Sequence, residues 1–350
     1  MKRIICFLVA LACIASSFTF CAVSESFFPS VSAKSAVLLT SDGRIIYEKN
    51  PYQRMPMAST TKIMTCIVSL ENASLTDTVQ ITRESVGVEG SSVYLKEGET
   101  LTVEELLYAL MLSSANDAAV SLAIHVGKSC EAFVSLMNQK AQEIGLSDTH
   151  FENPHGLDHE NHYTTAYDLA CLMAYALKNE SFCRISSTVN TEIQGVGGVS
   201  RYLVNHNRLL RSYTGMLGGK TGYTKKSGRC LVTAARRDGL TLVAVTLSAP
   251  DDWNDHKRML DYGFSYYENV ILCEKDQSFY TLNVLGGETV SCVALESAGI
   301  CLPKGKKRDV RYVVELPRFL WDMPYENEKV GRVVFYIEDK AFCVPLVAKR

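Results

Sequence analysis

No long basic block, internal repeat or low-complexity segment occurs in the 350 residues. Lysine plus arginine (36) nearly balance aspartate plus glutamate (38), leaving a net charge of −2. A nucleic-acid partner needs a basic footprint, so that class is set aside. The short run Lys304-Gly305-Lys306-Lys307-Arg308 reads as a solvated loop. Cysteine and histidine are nowhere clustered at zinc-ligand spacing, and no metal or other cofactor is called for. The stretch Ala341-Phe342-Cys343-Val344-Pro345-Leu346-Val347 reads as strand and contains a proline, so no amphipathic anchoring helix is expected there.

What is present begins with an export signal. Lys2 and Arg3 precede an uncharged apolar run from Ile4 to Thr19, and Ala22-Val23-Ser24 supplies the small residues of a cleavage site near Ser24. The run is short for a spanning helix, so peripheral membrane association would require this leader to be kept. Cys21 follows the bulky Phe20, which argues against a lipoprotein. Beyond the leader lie nine cysteines, most of them in apolar segments such as those around Cys66, Cys171, Cys230 and Cys343. They read as small core residues with at most an occasional disulfide.

The chain beyond residue 24, about 325 residues, is long enough for two domains. A hairpin is expected over 35–47, turning at Ser41-Asp42-Gly43. Helices follow: one opened by the capping box Thr102-Val103-Glu104-Glu105, one over 117–126, one over 131–144 stopped by Gly145, and one capped by Thr164 or Thr165. Two antiparallel strands, 229–235 and 240–246, flank Asp238-Gly239, and a helix spans 252–266. Early and late strands therefore enclose a helical middle, an α+β arrangement in which both ends share one antiparallel sheet beside a helical subdomain. Short strands at 279–284, 289–294, 310–316 and 330–337 mark a small all-β C-terminal domain. The expected division is 1–24 signal peptide, 25–268 catalytic domain, and 269–350 β-rich domain.

The organising stretch is Met57-Ala58-Ser59-Thr60-Thr61-Lys62 and the apolar helix after it. Positions three apart share a helix face, so Ser59 and Lys62 come within hydrogen-bond reach. A desolvated, neutral lysine can take the proton that otherwise makes serine a poor nucleophile. The bland alternative is a capping serine beside a solvated lysine. Further along come Ser114-Ala115-Asn116 between two helices and Gly218-Gly219-Lys220-Thr221-Gly222 before the strand pair. Singly these read as a helix cap and the start of a strand. Jointly and in order, Ser-x-x-Lys, Ser-x-Asn and Lys-Thr-Gly are the signature of penicillin-recognising serine enzymes.

The chain resembles the low-molecular-mass penicillin-binding proteins that act as serine-type D-alanyl-D-alanine carboxypeptidases. The resemblance is carried by residues 58–65, by Asn153-Pro154-His155-Gly156-Leu157, by 162–170 and by Gly219-Lys220-Thr221-Gly222-Tyr223-Thr224. It covers 35–267 strongly and the β-rich tail more loosely. It implies a β-lactamase/transpeptidase-like fold and removal of the terminal D-alanine from peptidoglycan stem peptides outside the cytoplasmic membrane, with β-lactams as covalent inhibitors. By the same resemblance Ser59 is the nucleophile, Lys62 its base, Ser114 a proton relay, and Asn116 a holder of the substrate amide. Lys220 supports the serine, and Lys220, Thr221, Gly222 and Tyr223 bind substrate. The Ser59 and Tyr223 N–H groups form an oxyanion hole. Asp168 matches a position linked to deacylation. His206, in Asn205-His206-Asn207, stands where some members carry arginine.

Two alternatives remain open at this point. A serine β-lactamase would need a carboxylate to activate water, and no Glu-x-x-Leu-Asn segment lies between Asn116 and Lys220. A non-catalytic wall-binding scaffold on the same fold would be signalled by loss of Ser59, Lys62 or Lys220, all of which are present. His125, His155, His159 and His206 read as turn or packing residues.

Overall fold

The computed structural model describes residues 28–306, 310–337 and 340–350. The expected leader lies outside these, as do Lys307 and Arg308 of the basic run. A five-stranded antiparallel sheet forms the centre, in the order β2-β1-β9-β8-β7. Its strands are β1 (Ser35–Thr40), β2 (Ile45–Lys49), β7 (Met216–Thr224), β8 (Gly228–Arg237) and β9 (Leu240–Leu247). The chain's early hairpin and late strands thus share one sheet, as the sequence pattern requires.

β1 and β9 are buried at every position because apolar layers cover both faces. Strand alternation sends Val37, Leu39, Val232 and Val243 into one layer and Leu38, Leu231, Leu242 and Ala244 into the other. The first layer belongs to the helical subdomain. Its helices are α1 (Lys62–Asn72), α2 (Val103–Leu112), α3 (Asn116–Gly127), α4 (Cys130–Glu143), α5 (Ala166–Ala176) and α6 (Glu180–Ser187). The opposite face is covered by α8 (Asp252–Tyr266), after the single turn α7 (Leu209–Ser212). Short pairs β3 (Thr78–Gln80) with β4 (Thr100–Thr102), and β5 (Asn190–Ile193) with β6 (Arg201–Val204), edge the helical part.

The helix starts follow their caps. Thr102 and Glu105 make the reciprocal capping box of α2, and the Thr165 hydroxyl accepts from Asp168 N at α5. Helix α6 was not anticipated, since its eight residues are mostly polar; its signal was the capping Asn179, whose side chain accepts from Phe182 N.

A second correction concerns Lys-Thr-Gly. It precedes the strand pair as expected, but it lies inside a further nine-residue edge strand, β7, that was not anticipated. Two glycines hid that strand. A Cβ on Gly219 would sit 2.1 Å from Val232 O, and one on Gly218 would sit 2.4 Å from Ser186 Oγ. Close approach, not a turn, requires them.

The C-terminal part has β10 (Tyr267–Cys273) paired with β13 (Ala298–Pro303). A second sheet runs β11-β12-β16-β15-β14, with β11 (Ser278–Asn283), β12 (Thr289–Ala294), β14 (Arg311–Glu315), β15 (Lys329–Ile337) and β16 (Lys340–Lys349). It encloses its own apolar cluster, including Leu282, Cys292, Val333 and Leu346. Strand β10 begins at Tyr267, directly after α8 ends at Tyr266, so the β-rich part opens slightly ahead of the expected boundary. All nine cysteines of the described residues are free thiols; Cys343, expected in a core, is exposed. Its neighbours on β16, Phe342 and Val344, pack into the apolar cluster, so strand alternation turns Cys343 outward.

Candidate active site

Ser59 sits in a 3-10 turn, Ala58–Thr61, that runs straight into α1. The N-cap positions of the turn and of α1 are Met57 and Thr61, so Ser59 caps neither, which removes the capping explanation. The turn is held by side chains. Thr60 Oγ1 donates to Met57 O at 2.6 Å, and Thr61 Oγ1 donates to Ala58 O at 2.8 Å. Behind it stands His162, which sequence reasoning passed over. Glu152 N donates to His162 Nδ1 (3.0 Å), so Nε2 carries the proton and donates to Thr61 Oγ1 (2.7 Å). Burial, with the neighbouring imidazoles, pushes this histidine down to about 3, so it is neutral at pH 7.

Lys62 is fully buried. Its Nζ lies 3.0 Å from Ser59 Oγ and 2.6 Å from both Asn116 Oδ1 and His155 O. The His155 carbonyl comes from the turn after Asn153, whose Oδ1 accepts from Gly156 N at 2.7 Å. Burial first, then the Lys220 charge, holds the Lys62 ammonium well below the usual lysine range, and only Asp117 opposes them.

Ser114 occupies the break between α2 and α3 with φ +59°. Such a backbone is costly for a non-glycine residue and persists where neighbours over-determine it. Its Oγ accepts from Lys220 Nζ at 3.0 Å. Lys220 also donates to Thr221 O at 2.9 Å, and burial lowers it to about 7. Asn116 N donates to Ser91 O at 2.7 Å, and its Nδ2 donates to Glu89 O, so the 89–95 loop and Asn116 hold each other. That loop is pinned by Asp117, also missed from sequence. Its buried carboxylate accepts from Ser92 Oγ (2.6 Å), Leu95 N (3.0 Å) and Val93 N (3.2 Å).

These side chains meet at a cavity of about 520 Å³ lined by Ser59, Ser114, Thr221, Gly222 and Tyr223. Edge strand β7 runs alongside the serine: a Cβ on Gly222 would lie 3.0 Å from Ser59 N. The Tyr223 side chain points outward and is 66% exposed. Lys220 and Thr221, adjacent on the strand, face opposite sides of the sheet.

Asp168 is not brought to the cavity. Its carboxylate accepts from Thr149 Oγ1 (2.7 Å) and Asp148 N (2.8 Å), tying the start of α5 to that loop. Burial raises its pKa against these bonds.

A serine beside a buried lysine, with a second serine–lysine pair from an adjoining helix break and an edge strand, defines a penicillin-recognising serine acyl-transfer enzyme. Within that class the chain belongs to the D-alanyl-D-alanine carboxypeptidase family, whose profile matches residues 22–251. Residues 267–350 match the C-terminal domain of penicillin-binding protein 5. The D-alanyl-D-alanine carboxypeptidase DacF of Bacillus subtilis is 36% identical over 314 residues, 86% of this chain and 81% of the relative. DacC of Escherichia coli is 30% identical over 342 residues, 89% and 82% of the two chains. The structure of penicillin binding protein 5 from Haemophilus influenzae superposes with a TM-score of 0.75 at 28% identity, covering 92% of this chain and 98% of the other. The chain is thus a serine-type D-alanyl-D-alanine carboxypeptidase, a hydrolase, and the β-lactamase and scaffold alternatives fall away.

Proposed function

We propose that Ser59 attacks the penultimate D-alanine carbonyl of a peptidoglycan stem peptide, with neutral Lys62 as the base. One observation carries this reading: Lys62 Nζ has two acceptors, Asn116 Oδ1 and His155 O, each at 2.6 Å. A neutral amine has two hydrogens. Both are taken, so its lone pair faces Ser59 Oγ at 3.0 Å. As the serine C–O bond forms, its proton passes to Lys62. The developing oxyanion is met by the N–H groups of Ser59 and Tyr223. When the C–N bond breaks, the departing D-alanine amine takes the proton that Lys62 received, relayed through Ser114, which is hydrogen-bonded to Lys220, and Lys62 is neutral again. Water, deprotonated by Lys62, then cleaves the ester and restores Ser59. Asn116 orients the substrate amide, and Thr221 receives the terminal carboxylate. Lys220 supplies positive charge behind Ser114.

A β-lactam amide traps the same serine as an ester. The stem peptide places the enzyme outside the cytoplasmic membrane, in keeping with the sequence of the leader. Among the described residues no single helix is long and apolar enough to cross a membrane. The test is D-alanine release from a stem pentapeptide, with Ser59→Ala alongside. Release that disappears in the variant, with mass added by penicillin to the Ser59 peptide of the wild type, supports the assignment. Undiminished release by Ser59→Ala overturns it.

A further inference from the structure

We propose that His162 is a positioning residue for the reaction, aiming the Ser59 N–H at the developing oxyanion by acting through Thr61 on the Ala58–Ser59 peptide. The inference rests on the reading of Ser59 as the nucleophile whose own N–H meets that oxyanion.

The peptide plane is where the effect originates. Resonance holds the Ala58 carbonyl and the Ser59 N–H in one trans plane, pointing opposite ways. Whatever fixes the carbonyl therefore aims the N–H. Ala58 has φ +47°, a left-handed backbone that an alanine keeps only where its surroundings impose it. Two contacts impose it here. The Gly156 turn packs against Ala58 O with no room for a Cβ, and Thr61 Oγ1 donates to the same oxygen at 2.8 Å.

Hydrogen-bond direction brings in the histidine. A hydroxyl has one hydrogen, and Thr61 spends it on Ala58 O, so Thr61 accepts from His162 Nε2 at 2.7 Å. Glu152 N fixes the tautomer from the other side by donating to Nδ1 at 3.0 Å. The chain thus runs one way, from Glu152 N–H through His162 and Thr61 to the Ala58 carbonyl. Each bond polarises the next, and the last makes the Ser59 N–H a stronger donor. His162 and Thr61 are both buried, and the ring stands edge-on to Phe151 at 5.8 Å, so water does not compete for these bonds. The other wholly buried histidine, His256, bonds only Thr233 and Thr246 of β8 and β9, away from this peptide.

The test measures acylation of Ser59 by labelled penicillin over a concentration series, which separates the acylation rate constant from the binding step before it. His162→Phe and Thr61→Val should each lower that rate constant about 10- to 100-fold and leave binding within about threefold, because the donor is misaimed and weakened but not removed. The double variant should be no slower than the slower single one, since both cut one chain. His162→Gln, which keeps an N–H for Thr61, should recover part of the rate. A boronic acid that closes on Ser59 as a tetrahedral adduct should lose affinity by the same factor as the acylation rate constant. His256→Gln is the control: it loses buried bonds of the same kind and should acylate at the wild-type rate. Should His162→Phe fail to fold, Thr61→Val and His162→Gln carry the same expectations.

A folded His162→Phe or Thr61→Val that acylates at the wild-type rate overturns the proposal. So does a double variant whose losses multiply, or an equal loss in His256→Gln, since either makes His162 a support of stability alone. A wild type that penicillin does not acylate on Ser59 removes instead the nucleophile reading on which this inference stands.

Discussion

Lys62 and Lys220 are both buried, and burying a lysine has a thermodynamic cost. The folded Lys220 pKa is about 7 against 10.5 for the free side chain. Between those values the unfolded chain binds the extra proton, so stability rises with pH through that window. At pH 7 the penalty is on the order of 4 kcal/mol. Lys220→Met, similar in shape and uncharged, should abolish turnover yet raise the melting temperature by several degrees at pH 7. The gain should shrink toward pH 10.5, a comparison that thermal melts at the two pH values make directly. Asp168 makes the opposite case. Its partners are Asp148 N, Thr149 Oγ1 and the α5 cap, so Asp168→Asn should cost about 1–2 kcal/mol in stability. The lifetime of the penicilloyl ester should stay within about twofold, and a much longer one would give Asp168 a part in deacylation after all.

Secondary elements position the site by close approach. The turn bearing Gly156 presses on the Ser59 turn: at φ +93°, a Cβ there would lie 2.0 Å from Ala58 O. Gly156→Ala should cost about 2 kcal/mol or more and slow acylation at Ser59, measured by urea unfolding and by labelled penicillin. At this scale much was legible in the sequence. Helix α2 was readable from its capping box, α5 from Thr165, and β8 and β9 from the turn between them. Ser59, Lys62, Ser114, Asn116 and Lys220 were legible as motifs, and hydrogen bonds join Ser59, Lys62 and Asn116 in one group and Ser114 and Lys220 in another. Less legible was whatever depends on register. Edge strand β7 was masked by Gly218 and Gly219, whose absent side chains admit Ser186 and the β8 backbone. The direction of Lys220 follows only once β7 is a strand. Asp117 and His162 act on backbone and hydroxyl groups far away in sequence, for which no local pattern exists.

Across the whole molecule, helix α8 and the helical subdomain clamp the sheet from its two faces, each with a buried histidine. His256 lies between Thr233 Oγ1 (2.7 Å) and Thr246 Oγ1 (3.0 Å); His162 backs the Ser59 turn through Thr61. Burial takes both down to about 3 from 6.5. The unfolded chain therefore gains protons first on acidification. Stability from these two groups is complete above pH 6.5 and falls by about 2 kcal/mol each by pH 5. Urea midpoints at pH 7 and pH 5 should show that loss, and His256→Gln should show about half of it. The β-rich C-terminal sheets, with a separate apolar cluster, contribute neither of these groups. The account as a whole rests on a neutral Lys62 whose lone pair faces Ser59. Its most direct test is the pH dependence of the acylation rate constant for a penicillin, in the wild type and in Lys62→Arg. The wild-type rate is expected to rise through an ionisation well below 10.5, with Lys62→Arg slower by about a thousandfold or more and without that ionisation. An arginine variant that acylates at an undiminished rate with the same acid limb would contradict it.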